Sequence, residues 1–128
     1  MALTKITTNV ITDDSITSPL VGAEFTTTSA VGSSATENID WTSAQIFTLT
    51  PSQSTTLNVT NPVIGVQKNF IITGSGNSYT ITLNVGGAAG TFNLISGEYD
   101  DTAGLKNIYS VLCVSATEFW YSISQIAT

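Results

Sequence analysis

Few side chains in this sequence could carry chemistry, and the most informative one is missing. Among the 128 residues there is no histidine, so the commonest general base is absent, as is the usual partner of a serine or cysteine nucleophile. A histidine-dependent triad is excluded, and the chain reads as non-enzymatic. Gly74-Ser75-Gly76 has the outline of a nucleophile elbow or a phosphate loop. It lacks the strand-turn-helix setting and the lysine that those motifs need, so it reads as a turn. Glu98, Asp100 and Asp101 form the one dense carboxylate cluster. Hard cations take several oxygens from one loop, yet this spacing does not match a helix-loop-helix calcium loop, and the cluster reads as a solvated acidic tip. Asp13 and Asp14 make a weaker case of the same kind. Two carboxylates can also run glycoside hydrolysis, but nothing places a second partner across a sugar cleft. No catalytic residue, cofactor or metal is expected.

Trp41, Tyr79, Tyr99, Tyr109, Trp120 and Tyr121 could stack on sugars if exposed. At strand positions, Trp41 and Trp120 read as core; Tyr99, on a loop beside Asp100 and Asp101, stays open as a ligand or receptor contact. Cys113 is the only cysteine and lies between Leu112 and Val114, which marks an inert strand residue with no disulfide or thiolate cluster to join. The acceptor pattern Asn58-Val59-Thr60 has meaning only in a secreted eukaryotic chain.

The elements that position these residues follow from composition. Hydrophobic residues make up 41% of the chain and charged residues only 9%, well under the roughly 25% charge usual for soluble domains. Thr, Ser and Asn take their place, and Thr, Val and Ile fit a pleated sheet. Three lysines against nine acids give a net charge of −6. Phosphate neutralisation is thus hardly available, and nucleic acid is not an expected partner. No stretch approaches a membrane span, and the N-terminus lacks the order of a signal peptide; synthesis in a cytosol and a soluble product are expected.

Residues 1–36 show scattered apolar positions without a period and read as an extended arm, with 26–36 as its linker. From Ile39 onward, short alternating runs are broken by turn residues. Strands are expected over 43–50, 55–60, 67–73, 79–85, around Phe92 and Leu94, over 106–114 and over 119–126. Gly74 to Ser78 should join 67–73 to 79–85 as an antiparallel hairpin. In 106–114 both faces are apolar, so one should meet the core and the other a partner subunit, with Tyr109 and Val111 as the candidate interface. The predicted fold is all-β, an antiparallel jelly-roll-like sandwich over 37–128 behind the arm.

Two parts of the chain look familiar. The opening Met1-Ala2-Leu3-Thr4-Lys5-Ile6-Thr7-Thr8-Asn9-Val10-Ile11, followed by Asp13-Asp14-Ser15-Ile16-Thr17, resembles the start of tail-fibre and appendage proteins of tailed bacteriophages. The body, from Asp40-Trp41 through Phe47-Thr48-Leu49-Thr50 and Asn61-Pro62 to Phe119-Trp120-Tyr121, is similar to a β-sandwich module of phage fibre proteins. The resemblance implies a virion structural protein made in the host cytoplasm. The resemblance further implies docking to other phage structural proteins by an attachment arm (Leu3, Ile6, Val10, Ile11, Ile16) and a homotrimer. It also implies contact with a host surface glycan, for which the loop Tyr99, Asp100 and Asp101 is the candidate. A capsid decoration protein is the alternative, and a free carbohydrate-binding module the second. Cyclic closure would cover sheet edges that a lone module leaves open.

Overall fold

The computed structural model describes residues 22–86 and 90–126. In chain order the elements are a one-turn helix α1 (Ala23–Thr26) and nine strands: β1 (Thr28–Ala30), β2 (Thr36–Asp40), β3 (Ile46–Leu49), β4 (Thr55–Thr60), β5 (Gln67–Thr73), β6 (Ile81–Val85), β7 (Thr91–Ser96), β8 (Lys106–Ser115) and β9 (Glu118–Ile126). The described helix is not long and apolar enough to cross a membrane. The six residues of β4 alternate without a break: Thr55, Leu57 and Val59 are buried, while Thr56, Asn58 and Thr60 face outward, as the period of two requires.

The pairing follows a repeat. Thr36-Glu37-Asn38-Ile39, Thr56-Leu57-Asn58-Val59 and Thr82-Leu83-Asn84-Val85 share one four-residue pattern. Their strands pair in parallel and in register in a sheet ordered β2-β4-β6, with Asn38, Asn58 and Asn84 in one row and Ile39, Val59 and Val85 in the next. The second sheet is ordered β1-β3-β5-β8-β9-β7. There β1, β3 and β5 are parallel, and Phe47 stacks edge-on over its register partner Phe70 at 5.5 Å between ring centroids. Successive strands from β1 to β6 therefore alternate between the two sheets, each coil resting on the one before, which is the winding of a β-solenoid. A hairpin of β8 and β9 then adds antiparallel to β5, and β7 runs parallel along the outside of β9.

The all-β class holds, but the expected antiparallel jelly-roll pairing does not: β5 and β6 lie in different sheets, and 74–80 crosses between them instead of closing a hairpin. From β1 to β6 each strand pairs with the one two elements away, and in β2, β4 and β6 the repeat matches rows of like residues there. The linker expected over 26–36 contributes β1 and the first residue of β2, so the boundary at 36 falls inside the sheets. The arm residues Leu3, Ile6, Val10, Ile11 and Ile16 lie outside the described residues.

One core joins both sheets. Trp41 is fully buried and packs edge-on against Phe70 and Phe119. Tyr109 (2% exposed) and Val111 (0%) belong to this core, which corrects their assignment to a subunit interface: the inward phase of β8 is Asn107, Tyr109, Val111 and Cys113. Cys113 is a free, buried thiol that burial holds above its usual pKa. Trp120, expected in the core, is 45% exposed, because Phe119 and Ile123 take the inward phase of β9 and turn it out. At the opposite flank, α1 covers the buried Lys68. Its Nζ donates to the Glu24 carbonyl and lies 5.0 Å from the centre of the Phe25 ring. Burial lowers the Lys68 pKa, and the Glu24 charge acts against that.

Candidate functional site

The loop singled out by its carboxylates lines a cleft of about 550 Å³, bounded by 98–102 on one side and by Gly76, Ser78, Tyr79 and Thr80 on the other. The loop has no regular structure and is held from below by two amides. Asn107, fully buried on β8, accepts the Asp100 N–H at 3.0 Å and donates to the Asp100 carbonyl at 2.8 Å. Gln125 on β9 donates to the Glu98 carbonyl at 2.9 Å. Polar backbone that a loop would otherwise bury unpaired is thus satisfied by the sheet beneath it.

Asp101 ties the two walls together. Its Oδ1 accepts the Ser75 N–H (2.8 Å) and the Tyr99 phenol (2.6 Å). Its Oδ2 accepts the Ser75 hydroxyl (2.8 Å) and the N–H groups of Asn77 (3.1 Å) and Tyr79 (3.0 Å). Burial acts to raise the Asp101 pKa, but the bonds from Ser75, Tyr99 and Tyr79 outweigh it and hold the carboxyl well below the usual range. Burial and then the bond to Asp101 push the Tyr99 phenol up. The turn needs special backbone: Gly76 has φ +79°, Ser78 has φ +61°, and a Cβ on Gly74 would overlap the Thr102 carbonyl, so glycine is required there.

This arrangement decides the chemistry. Ser75 and Asp101 look like a nucleophile and its base, but a carboxylate with a depressed pKa and five donors already on it is a poor proton acceptor. The cluster Glu98, Asp100 and Asp101 does not converge: Asp101 points into the 75–79 turn, while Asp100 turns to Thr102, whose hydroxyl and then whose N–H, at 2.8 Å, hold its pKa down. No group of three or more His, Cys, Asp or Glu able to hold a metal occurs among the described residues. Of the candidate loop residues Tyr99, Asp100 and Asp101, the Asp101 carboxylate and the Tyr99 hydroxyl are spent on the loop itself. Glu98, Tyr79 and Thr80 also line the cleft. The Tyr99 ring lies tilted 6.4 Å from that of the buried Tyr109, which stacks on Tyr121 at 5.9 Å.

Sequence reasoning missed Asn107, although a lone amide in an otherwise apolar strand phase was a visible signal. It also missed a second cluster on the outer face of the larger sheet. There Trp120 Nε1–H donates to Glu118 Oε1 at 2.8 Å, and Asn93 Nδ2–H donates to the same oxygen at 3.2 Å.

Comparison of the chain with family models, with curated proteins and with solved structures finds no match.

Proposed function

We propose that the chain is a non-enzymatic structural module of a tailed-phage particle, a short tail-fibre or appendage element. In this reading it docks through its N-terminal arm, works as a homo-oligomer, a trimer by the resemblance, and offers the Tyr99 cleft to the host surface. The observation that carries the oligomeric reading is the edge strand β7. Its sequence Thr91-Phe92-Asn93-Leu94-Ile95-Ser96 has no charge and no proline, among the described residues it pairs only with β9, and Leu94 and Ile95 are 47% and 69% exposed. Monomeric proteins usually blunt such an edge with charge, proline or a covering element. A copy of the chain laid along β7 would pair its backbone and cover both side chains. The phage assignment rests on the resemblance of the opening segment and of the 40–62 and 119–121 motifs.

Light scattering on the full chain and on Ile95→Asp tests the oligomer. A mass of three chains that falls toward one in the variant is the expected result. A full-length chain that stays monomeric at high concentration would sink the reading and leave the carbohydrate-binding module in its place.

A further inference from the structure

We propose that the outer-face cluster of Trp120, Glu118 and Asn93 binds the guanidinium group of an arginine carried by a basic partner protein. Asn93 on β7 and Trp120 on β9 are register partners. The indole N–H and the Asn93 amide N–H both converge on Glu118 Oε1, at 2.8 and 3.2 Å. Those bonds fix the indole against the sheet and use its N–H and one of the two Asn93 amide hydrogens. What the cluster still offers, among the described residues, is mainly acceptors: Glu118 Oε2, Asn93 Oδ1 and the π face of a ring that is 45% exposed, beside one remaining Asn93 N–H.

A carboxylate oxygen, an amide oxygen and an aromatic face complement a ligand built of donors. The guanidinium group has five N–H donors and no acceptor, is always charged, stacks flat on indole and forks toward carboxylates. A neutral sugar can donate its hydroxyls to the same oxygens but carries no positive charge to meet the carboxylate, and charge is what separates the two ligands. The cross-strand partners of Glu118 and Trp120 are Thr91, Ser115, Asn93 and Leu112, none of them basic, so no lysine there neutralises the carboxylate. The chain has a net charge of −6 and only three lysines as basic residues. The arginine therefore belongs to a different protein and not to a second copy. The inference goes beyond the oligomer reading and does not need it, since a strand added at β7 extends the sheet in its plane and leaves the outer face open.

The test is nuclear magnetic resonance on the full chain, following the two indole N–H signals of Trp41 and Trp120, assigned with Trp120→Phe. The probes are acetyl-Gly-Arg-Gly-amide and the same peptide with citrulline, which keeps the shape without the charge. The Trp120 signal should move saturably with the arginine peptide while the Trp41 signal stays still. Affinity should fall by about tenfold or more for citrulline or in Glu118→Gln. Absence of a saturable shift, an equal response to citrulline, or unchanged binding by Glu118→Gln would each overturn the proposal. None of these results depends on the mass of the assembly, so the oligomer reading stands or falls separately.

Discussion

Ser75 grips Asp101 twice, its N–H on Oδ1 and its hydroxyl on Oδ2, both at 2.8 Å and across 26 positions of sequence. With the bonds from Asn77, Tyr79 and Tyr99, one side chain organises the crossing between the sheets and the loop that faces it. Asp101→Asn keeps the shape but puts an amide NH2 among donors. The loss should be about 2 kcal/mol, allowing for the partial exposure of the site, and should show in calorimetry as a midpoint lower by roughly 5 °C or more. Asp100→Asn, whose carboxylate is bonded by Thr102 alone among the described residues, should do less. Equal effects would refute a special place for Asp101.

Acid should reveal the same carboxylate. The folded pKa of Asp101 lies below its ordinary value, so its stabilisation is complete above the unfolded value of about 3.9 and is lost as pH falls from there through the folded pKa. Asp40 and Asp100 are shifted in the same direction. The wild type and Asp101→Asn should therefore both weaken below about pH 4, with the wild type falling more steeply and the two midpoints converging. Parallel curves would assign the acid sensitivity elsewhere.

Lys68 presents the opposite case. It is a buried ammonium whose polar partners among the described residues are the Glu24 carbonyl and the Glu24 charge, with the Phe25 ring beside it. Burial outweighs the Glu24 charge in the direction of its pKa, so Lys68→Met should be neutral or more stable by up to about 2 kcal/mol. Because the folded pKa is lowered, protonation works against the fold. Wild-type stability should gain relative to Lys68→Met as pH rises from the folded pKa to the unfolded value of about 10.4. Urea denaturation of both proteins across that range checks it. A clear loss in Lys68→Met would show instead that the contact with α1 stabilises the end of the sheet.

The strands themselves were legible: β4 and β5 fall where alternation and turn residues put them, and Leu57, Val59, Phe70 and Ile72 point inward as read. Their partners were not. Alternation gives the faces of a strand but not its neighbour, and Gly74 to Ser78 has the residues of a hairpin whether the chain turns back or crosses to the other sheet. The clue to parallel winding was the spaced repeat ending in Asn38-Ile39, Asn58-Val59 and Asn84-Val85, which is inconspicuous in a chain so rich in threonine; Thr7-Thr8-Asn9-Val10 repeats it outside the described residues. The phase of β9 was equally ambiguous, because Phe119, Trp120 and Tyr121 are consecutive aromatics and only the fold decides which one turns outward. At the cleft, proximity of Tyr99 to Asp101 was readable, whereas the use of Asp101 by a turn 22 to 26 positions away was not.

That ambiguity makes the two tryptophans a direct test of the fold. Trp41 is fully buried against Phe70 and Phe119, so Trp41→Ala should cost about 3–5 kcal/mol and could leave the chain unfolded. Trp41→Phe keeps the ring contacts and removes an indole N–H that has no acceptor among the described residues, so it should cost much less. Trp120→Ala removes a ring from the outer face and leaves the core untouched, with an effect within about 0.5 kcal/mol. Fluorescence gives an independent reading: Trp120→Phe, with only Trp41 emitting, should show a blue-shifted native spectrum that moves red on unfolding, while Trp41→Phe should emit near the water-exposed limit throughout. If Trp120→Ala destabilises as strongly as Trp41→Ala, β9 presents its other face to the core, and the rows that place Phe119 and Ile123 inward are wrong.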